Sequence, residues 1–366
     1  MLSRANKRRT FYAQPLPPIR SATPSGGHCA PVAAEGEATG EGRDVEYLTM
    51  KSRSILTRCR SPRMPFAWMI NPYRGCEFAC KYCYARYTHE FMELRDGLDF
   101  ERKIYVKQHS AWLLRQELKR VRPDEQIAIG TATDPYQPAE RKFQITRSLL
   151  EELSLHTGLS IGLVTKSNLI LRDLDVLKAI AATNKLTICM TVTTMDAGLA
   201  RILEPRAPRP DLRMKAMRTL VEAGIRSGVN CAPVLPGITD SLTGLEAVVH
   251  AAAEAQARFV HAKPLFLKPC AAQIFMPFLE EKFPRLAGLY RERYTQSPFL
   301  SAPYQRRISN LVKKYCHKYM IAAHDRSSES GQEAGNRSHQ MTLFPLAGPA
   351  SRTSTQSGYR RFAEGD

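Results

Sequence analysis

The sequence predicts an α/β fold in which parallel strands alternate with helices. Six short apolar or β-branched runs recur through the middle of the chain, and segments with the apolar period of a helix lie between them. Such βα units pack either as a doubly wound sheet or as a full or partial barrel. In both arrangements we expect the chemistry at the carboxyl ends of the strands.

The elements follow one another in a regular order. Strands are predicted at residues 67–71, 126–131, 159–165, 186–193, 228–234 and 259–266, each a short apolar or β-branched run followed by a loop. Helices are predicted from their apolar period at residues 109–121, 144–156, 171–182, 211–223, 242–256 and 273–282.

The two ends of the chain differ from this middle part. Residues 1–45 and 325–366 are rich in Pro, Gly, Ser and Ala and lack a hydrophobic period, so we predict that both are disordered. The α/β domain would then span residues 46–284, and residues 285–324 would form a basic helical extension.

Charge and composition narrow the class of protein. The chain of 366 residues has 53 Lys and Arg against 35 Asp and Glu, a formal net charge of +18. Its 43% hydrophobic residues are enough to bury a core, which excludes wholesale disorder. No apolar run is long enough to span a membrane. The basic surplus favours phosphate-rich partners, nucleic acid first among them, although anionic membrane surfaces satisfy the same electrostatics.

Three of the nine cysteines, Cys76, Cys80 and Cys83, lie within eight residues directly after the first predicted strand, and the other six are solitary. The N-terminus lacks the apolar stretch of a secretory signal, so we expect a reducing cytoplasm, which favours a metal over a disulfide. Structural zinc uses four ligands, whereas three thiolates on an iron–sulfur cubane leave one iron open to a small molecule. The spacing therefore favours a catalytic cluster, with structural zinc or simply buried cysteines as the alternative.

Several segments together resemble one family. NPYRGCEFACKYCYAR, THEFMELRDGLDFERKIYVK, GTATDPYQPAER, VTKSNLILRDLDVL, TVTTMDAGLARILEPRAPRP and APVLPGITD are similar to the radical S-adenosylmethionine (SAM) superfamily, in its DNA repair photolyase-like branch related to spore photoproduct lyase. The resemblance covers about residues 60–266. It implies a partial (βα)6 barrel of the TIM type that holds a [4Fe–4S] cluster and S-adenosyl-L-methionine. The reduced cluster would generate a 5'-deoxyadenosyl radical for hydrogen abstraction, with an electron donor such as flavodoxin or ferredoxin.

The resemblance also implies roles for single residues. The three clustered cysteines would bind the cluster, and Tyr82, between two of them, matches an aromatic position near the adenine. Thr133 falls where a relative directs a hydroxyl toward the cofactor, and Lys166 is similar to a lysine that pairs with the cofactor carboxylate. Thr191 or Thr193 would meet the ribose hydroxyls. A solvated cap on a strand end would explain Lys166 equally well.

One position departs from the family pattern. Spore photoproduct lyases carry a hydrogen-donating cysteine at the end of strand two, and the aligned residue is Thr131, whose O–H bond is too strong for that role. We therefore expect an enzyme other than spore photoproduct lyase. Cys270 is a candidate donor, with a free structural thiol as the alternative, and Cys189 and Cys231 are interpreted as inert core residues. Other polar residues either line the barrel mouth or form supporting salt bridges: Asp134, Glu140, Arg172, Asp173, Glu204, Arg206 and Asp240.

Two segments after the barrel suggest partners. Between residues 285 and 318 the chain has eight basic residues, several interleaved tyrosines and a single acidic residue, Glu292. This composition is consistent with direct nucleic-acid contact and equally with a helix whose tyrosines pack inward and whose cations are solvated. In the tail, Gln340, Leu343 and Phe344 resemble the peptide that bacterial repair proteins insert into the DNA sliding clamp. The basic set is Arg285, Arg291, Arg293, Arg306, Arg307, Lys313, Lys314 and Lys318.

Three functions are consistent with these features. The first is a radical SAM enzyme that acts on a nucleic acid, as in repair. The second keeps the radical chemistry but modifies a protein or a small metabolite. The third is a non-catalytic metal-binding adaptor that is recruited through its C-terminal tail.

Overall fold

The structure is a computed structural model that describes residues 13–15, 45–61, 64–90, 92 and 96–321. Most of residues 1–45 and all of residues 325–366 lie outside the described residues, so disorder at the two ends stays a prediction. The clamp-like peptide at Gln340, Leu343 and Phe344 lies outside them as well.

The described part of the chain contains eleven strands, twelve α-helices and three short 3-10 helices. The strands are β1 (Ala13–Pro15), β2 (Glu46–Met50), β3 (Leu56–Arg58), β4 (Trp68–Ile70), β5 (Tyr73–Arg74), β6 (Lys103–Lys107), β7 (Gln126–Ile129), β8 (Ser160–Thr165), β9 (Lys185–Thr191), β10 (Arg226–Val234) and β11 (Val260–Pro264). The helices are α1 (Tyr87–Glu90), α2 (Asp99–Arg102), α3 (Ser110–Glu117), α4 (Ala139–Phe143), α5 (Ile145–Ser154), α6 (Leu174–Thr183), α7 (Ala197–Leu203), α8 (Pro210–Glu222), α9 (Leu242–Glu254), α10 (Pro269–Lys282), α11 (Pro284–Tyr294) and α12 (Ala302–Lys318).

The main sheet confirms the predicted parallel βα array. Its seven strands have the order β3-β4-β7-β8-β9-β10-β11, in which the six strands from β4 to β11 are parallel and β3 is antiparallel to β4 at one edge. The parallel strands follow chain order without a reversal. A doubly wound sheet reverses direction partway, so this order is that of a partial (βα)6 barrel.

The main core lies between this sheet and its helices. Strand residues such as Ile127, Leu163 and Ile188 are fully buried in it. Helix α12 contributes Ile308 and Val312 to the same core, so the basic extension packs as an integral layer of the domain. No helix among the described residues is long and apolar enough to cross a membrane.

A second sheet of four strands, in the order β1-β2-β6-β5, was not predicted. Its strands are two to five residues long, and β2 pairs in parallel with β6 although more than fifty residues separate them. Sequence patterns are weakest for such short, distant pairs. The edge strand β3 and the short helices α1, α2, α4 and α7 were also not predicted, and α10 begins at Pro269, before the predicted residue 273.

Candidate functional site

The loop that carries the clustered cysteines leaves the carboxyl end of β4. Asn71 connects the start of this loop to the loop after β7. The Asn71 carboxamide accepts a hydrogen bond from the Ala132 N–H at 2.7 Å and donates one to the Thr131 hydroxyl at 3.0 Å. Gly75 has φ 85°, and a Cβ there would lie 2.7 Å from the carbonyl oxygen of Lys103. Only glycine therefore allows the loop to approach β6 so closely.

Two buried polar side chains support this loop from within the protein. Glu77 accepts hydrogen bonds from the Tyr47 hydroxyl at 3.1 Å and from the Ala139 N–H at 2.7 Å. Gln137 accepts from the Glu77 N–H at 2.9 Å and donates to the Gly75 carbonyl oxygen at 3.1 Å. Sequence reasoning named neither residue, although both lie inside the quoted family segments. These bonds fix the loop through protein contacts alone.

The three thiols of this loop are neighbours in a buried environment. Burial raises the pKa of each one, that of Cys80 to about 12. For Cys76, the charge of Asp134 and then those of the Cys80 and Cys83 thiols raise the pKa further. Such thiols become thiolates only when a cation binds them, because uncompensated negative charge is costly in a buried site.

The donor set fits a [4Fe–4S] cluster better than a single ion. Among the described residues, no three or more Cys, His, Asp or Glu side chains are placed to hold one metal ion. Tetrahedral zinc would bring its sulfur ligands to about 3.8 Å from one another. In a cubane each cysteine binds a different iron, so three thiolates hold the cluster and leave one iron without a protein ligand.

A charged lysine lies beside the cysteine loop. The Nζ of Lys166 is 5.7 Å from the centroid of the Tyr82 ring. Burial lowers the pKa of Lys166, but the charges of Cys80 and Glu204 outweigh this effect and raise it overall, so the ammonium group stays charged. No carboxylate of the described residues lies within ion-pair distance of it. A free cation here fits a ligand carboxylate.

Glu204 is the centre of a buried polar network that connects several predicted cofactor residues. It forms an ion pair with Arg213 at 2.5 Å, and the two side chains are 0% and 1% exposed. The hydroxyls of Tyr82 and Thr193 both donate to Glu204, the latter at 3.2 Å. Arg213 also donates to the Thr191 carbonyl oxygen at 3.1 Å. The sequence analysis did not identify Arg213. The one feature that could have indicated it is a charged residue on the buried side of α8.

The two threonines after β7 contact the cysteine loop. The Thr133 hydroxyl donates to the Gly75 carbonyl oxygen at 2.6 Å and accepts from Gln137 at 3.0 Å. The Thr131 hydroxyl pairs with Asn71. Both hydroxyls therefore hold the loop, and the contacts of Thr133, Thr191 and Thr193 with a cofactor stay predictions.

Cys270 lies on the same side of the barrel mouth as the cysteine loop. It is buried in the first turn of α10, two residues after Lys268. Burial first, and then the charge of Glu90, raise the pKa of its thiol to about 11; Cys83 is near enough to add to the effect. The thiol is therefore protonated at neutral pH and carries an S–H bond. Cys231, by contrast, is buried in the main core, as expected.

Most of the charged residues predicted near the mouth form internal bonds. Arg172 bridges Glu140 at 2.7 Å and Asp173 at 2.8 Å. Asp134 accepts from the Thr165 hydroxyl and the Lys166 N–H, both at 2.7 Å. Asp240 pairs with Arg307, and Arg206 has one buried nitrogen, Nη1, without a hydrogen-bond partner among the described residues.

In the basic extension the tyrosines pack inward. Tyr290 is fully buried and donates to the Pro236 carbonyl oxygen at 2.9 Å, and Tyr315 lies in the main core. Three of the predicted cations form ion pairs: Arg291 with Glu280, Arg307 with Asp240 and Lys318 with Glu246. Five exposed cations have no carboxylate partner among the described residues: Arg285, Arg293, Arg306, Lys313 and Lys314.

Comparisons with known proteins agree with this arrangement. The family model for the radical SAM superfamily matches residues 70–243. An uncharacterized protein of Mycobacterium tuberculosis is 34% identical over 284 residues, which is 77% of this chain and 83% of that protein. An uncharacterized protein of Methanocaldococcus jannaschii is 29% identical over 196 residues, 54% of this chain and 70% of that one. Among solved structures, spore photoproduct lyase complexed with dinucleoside spore photoproduct has a TM-score of 0.58 at 15% identity, covering 76% of this chain and 80% of that one.

Proposed function

The chain belongs to the radical SAM superfamily, and from this premise we propose that it is a radical SAM enzyme that abstracts hydrogen from a nucleic-acid substrate. Enzymes of this superfamily use a [4Fe–4S] cluster and S-adenosyl-L-methionine, which when bound supply a 5'-deoxyadenosyl radical. The protein's own residues bind and orient these groups and exclude water from them.

Residues at the mouth have the chemistry for this task. Cys76, Cys80 and Cys83 would hold the cluster, and Lys166 would bind the carboxylate of the cofactor with its free ammonium group. Glu204 acts on Tyr82 through a hydrogen bond, so it positions the segment between the last two cysteines. The adenine and ribose contacts of Tyr82, Thr133, Thr191 and Thr193 belong to the same proposal.

The proposal of a nucleic-acid substrate rests on the exposed cations of α11 and α12. In the described part of the chain, five cations of this extension have no carboxylate partner, although Asp and Glu neutralise three others nearby. A cluster of uncompensated cations is the electrostatic footprint of a site for a phosphate backbone. The solved relative in complex with a dinucleoside lesion is compatible with a nucleotide substrate but, at 15% identity, has only its fold in common with this chain.

The reaction differs from that of spore photoproduct lyase under this proposal, because Thr131 occupies the donor position and its hydroxyl is hydrogen-bonded to Asn71. Cys270, with its protonated thiol on the cluster side of the mouth, is the proposed hydrogen donor. Flavodoxin or ferredoxin as electron donor, and a sliding clamp that binds Gln340, Leu343 and Phe344, are the proposed partners.

The first experiment tests the radical chemistry. Anaerobic reconstitution should give about four irons per chain, and dithionite with labelled S-adenosyl-L-methionine should yield 5'-deoxyadenosine. Cys76→Ala, Cys80→Ala and Cys83→Ala should each abolish that product, whereas Cys231→Ala, a matched change of a core cysteine, should retain it. Retention of the product by the loop variants would contradict the assignment, and bound metal without turnover would indicate the non-catalytic adaptor.

The second experiment tests the substrate class. Damaged duplex DNA, single-stranded DNA and RNA are offered in turn, and label transfer into one of them identifies the substrate. Arg306→Ala/Lys313→Ala/Lys314→Ala should weaken binding and reduce the slope of log affinity against log salt by about 0.9 for each phosphate that the variant no longer neutralises. The matched control is Lys178→Ala/Lys185→Ala/Lys215→Ala, which removes three exposed lysines of the barrel. Equal effects of the two triple variants would favour a protein or metabolite substrate.

A further inference from the structure

One face of the small sheet carries two cations. Arg74 on β5 lies opposite Tyr105 on β6, and Lys107 follows two residues later on the same strand. Side chains two apart on a strand, and those directly opposite on an antiparallel neighbour, point to the same face. Arg74, Tyr105 and Lys107 therefore share one face, next to Met50, which is the register partner of Lys107 on β2.

Helix α1 packs against this face, and the residue before α10 adds a third cation beside α1. The His89 ring packs edge-on against Tyr105, with centroids 5.8 Å apart. The Nζ of Lys268, the residue that precedes α10, is 3.7 Å from the centroid of the Tyr87 ring. Arg74 is close enough to Tyr87 for its charge to lower the pKa of that hydroxyl, although burial raises the value overall to about 12. Tyr87 is thus near both Lys268 and Arg74.

The positive charge of this pocket is offset only in part within the described residues, by Glu90 near Lys268. Lys107 is only 9% exposed, and no carboxylate of the described residues lies within ion-pair distance of Lys107, Arg74 or Lys268. Burial lowers the pKa of Lys268, and the negative charge of nearby groups, Glu90 among them, offsets this only in part. His89 adds no charge at neutral pH, since burial lowers its pKa to about 4. Burying cations without an ion-pair partner is costly, so an anion bound between them would be stabilised by their charge.

We propose that Arg74, Lys107 and Lys268 form a binding site for a phosphate group of the substrate. Phosphate suits them because its several acceptor oxygens take the fork of one guanidinium and the point charges of two ammonium groups at once. The pocket adjoins the reacting centre: Arg74 precedes Cys76 by two residues, and Cys270 follows Lys268 by two. A phosphate held here would set a nucleotide against the cysteine loop. This last step rests on the proposed function, whereas phosphate binding itself does not.

The test measures phosphate binding by the reconstituted protein, without reductant. Calorimetric titrations use inorganic phosphate, thymidine 5'-monophosphate and thymidine as probes. Lys107→Met should weaken binding of the first two about ten- to hundredfold, the worth of one charge-assisted hydrogen bond. Lys107→Arg, which keeps the charge, should stay close to the native protein. Lys185→Met, at the exposed start of β9, is the matched control and should bind as the native protein does.

Folding is checked in the same samples, because removal of an unpaired buried cation should leave the melting temperature at pH 7 unchanged or higher. Native affinity in Lys107→Met, equal losses in Lys185→Met, or thymidine binding as tightly as its monophosphate would each overturn the site. A lower melting temperature of Lys107→Met without any anion would also overturn it, since the ammonium group would then have a stabilising partner within the protein. Failure of 5'-deoxyadenosine formation would count against the proposed function and leave this result intact.

Discussion

Replacing Lys107 by methionine should increase the free energy of unfolding at neutral pH. Burial, with the charge of Arg74 as the second cause, lowers the pKa of Lys107 from 10.5 to about 7. The folded state therefore disfavours the charged lysine. Methionine keeps most of the apolar stem and removes the charge.

The size of the effect follows from the two pKa values. Between about pH 7 and pH 10.5 the unfolded chain holds a proton that the folded chain has lost, so the stability of the native protein rises with pH across this window. At about 1.4 kcal/mol for each pH unit between the two values, burying Lys107 costs about 5 kcal/mol well below pH 7, where it stays charged, and about 2 kcal/mol at pH 9, where it loses its proton on folding. The advantage of Lys107→Met should shrink by about 2 kcal/mol from pH 7 to pH 9.

Urea unfolding of the cluster-free protein, with reduced thiols and in phosphate-free buffer, measures this difference at pH 7, 8 and 9. Titrating cysteines are the same in both proteins and cancel in the comparison. Lys185→Met, an exposed lysine on β9, should stay within about 0.5 kcal/mol of the native protein at each pH. A stability difference for Lys107→Met that is independent of pH, or a less stable variant, would refute the reasoning.

Three further changes test other parts of the site. Arg213→Met leaves Glu204 buried without its charged partner and should cost about 3–5 kcal/mol in urea unfolding, part of which Glu204→Gln should restore; no loss would contradict the pairing. Gly130→Ala should lower the melting temperature more than Gly158→Ala. Both glycines have positive φ, but a Cβ at Gly130 would lie 2.5 Å from a backbone oxygen of β8, whereas a Cβ at Gly158 would meet no atom within 4 Å. Equal losses would argue against the close contact. Cys231, which is 1% exposed and whose pKa burial raises to about 12, should resist iodoacetamide at pH 8 until urea is added, and mass spectrometry of the native protein would reveal any earlier labelling.

The cysteine loop was predictable because its signal is local. Cys76, Cys80 and Cys83 lie within eight residues of one another, and a loop of that length can bring them together whatever the rest of the chain does. Most of the six parallel strands were predictable for a similar reason, since an inner strand of the sheet is buried and reads as a short apolar or β-branched run. Their ends differ from the prediction by at most two residues.

The charge balance of the site was not predictable in this way. Glu204 contacts Tyr82, which is 122 residues away in the chain, and no periodic pattern connects the two. For the basic extension, the sequence was consistent both with a nucleic-acid surface and with a packed helix. The structure shows inward-packed tyrosines, three paired cations and five exposed ones in the described residues. The packing of the tyrosines is therefore as predicted, and nucleic-acid contact through the exposed cations stays a prediction.

By itself, the sequence determined the βα alternation, the cysteine motif and the family resemblance, because each is a pattern of residues that are close together along the chain. Only the tertiary structure decided that the strands follow barrel order, that Glu204 and Arg213 neutralise each other beneath Tyr82, and that Arg74 and Lys107 share a face beside Lys268. The physical reason is that burial and electrostatic compensation depend on distances through space, which a linear pattern does not contain.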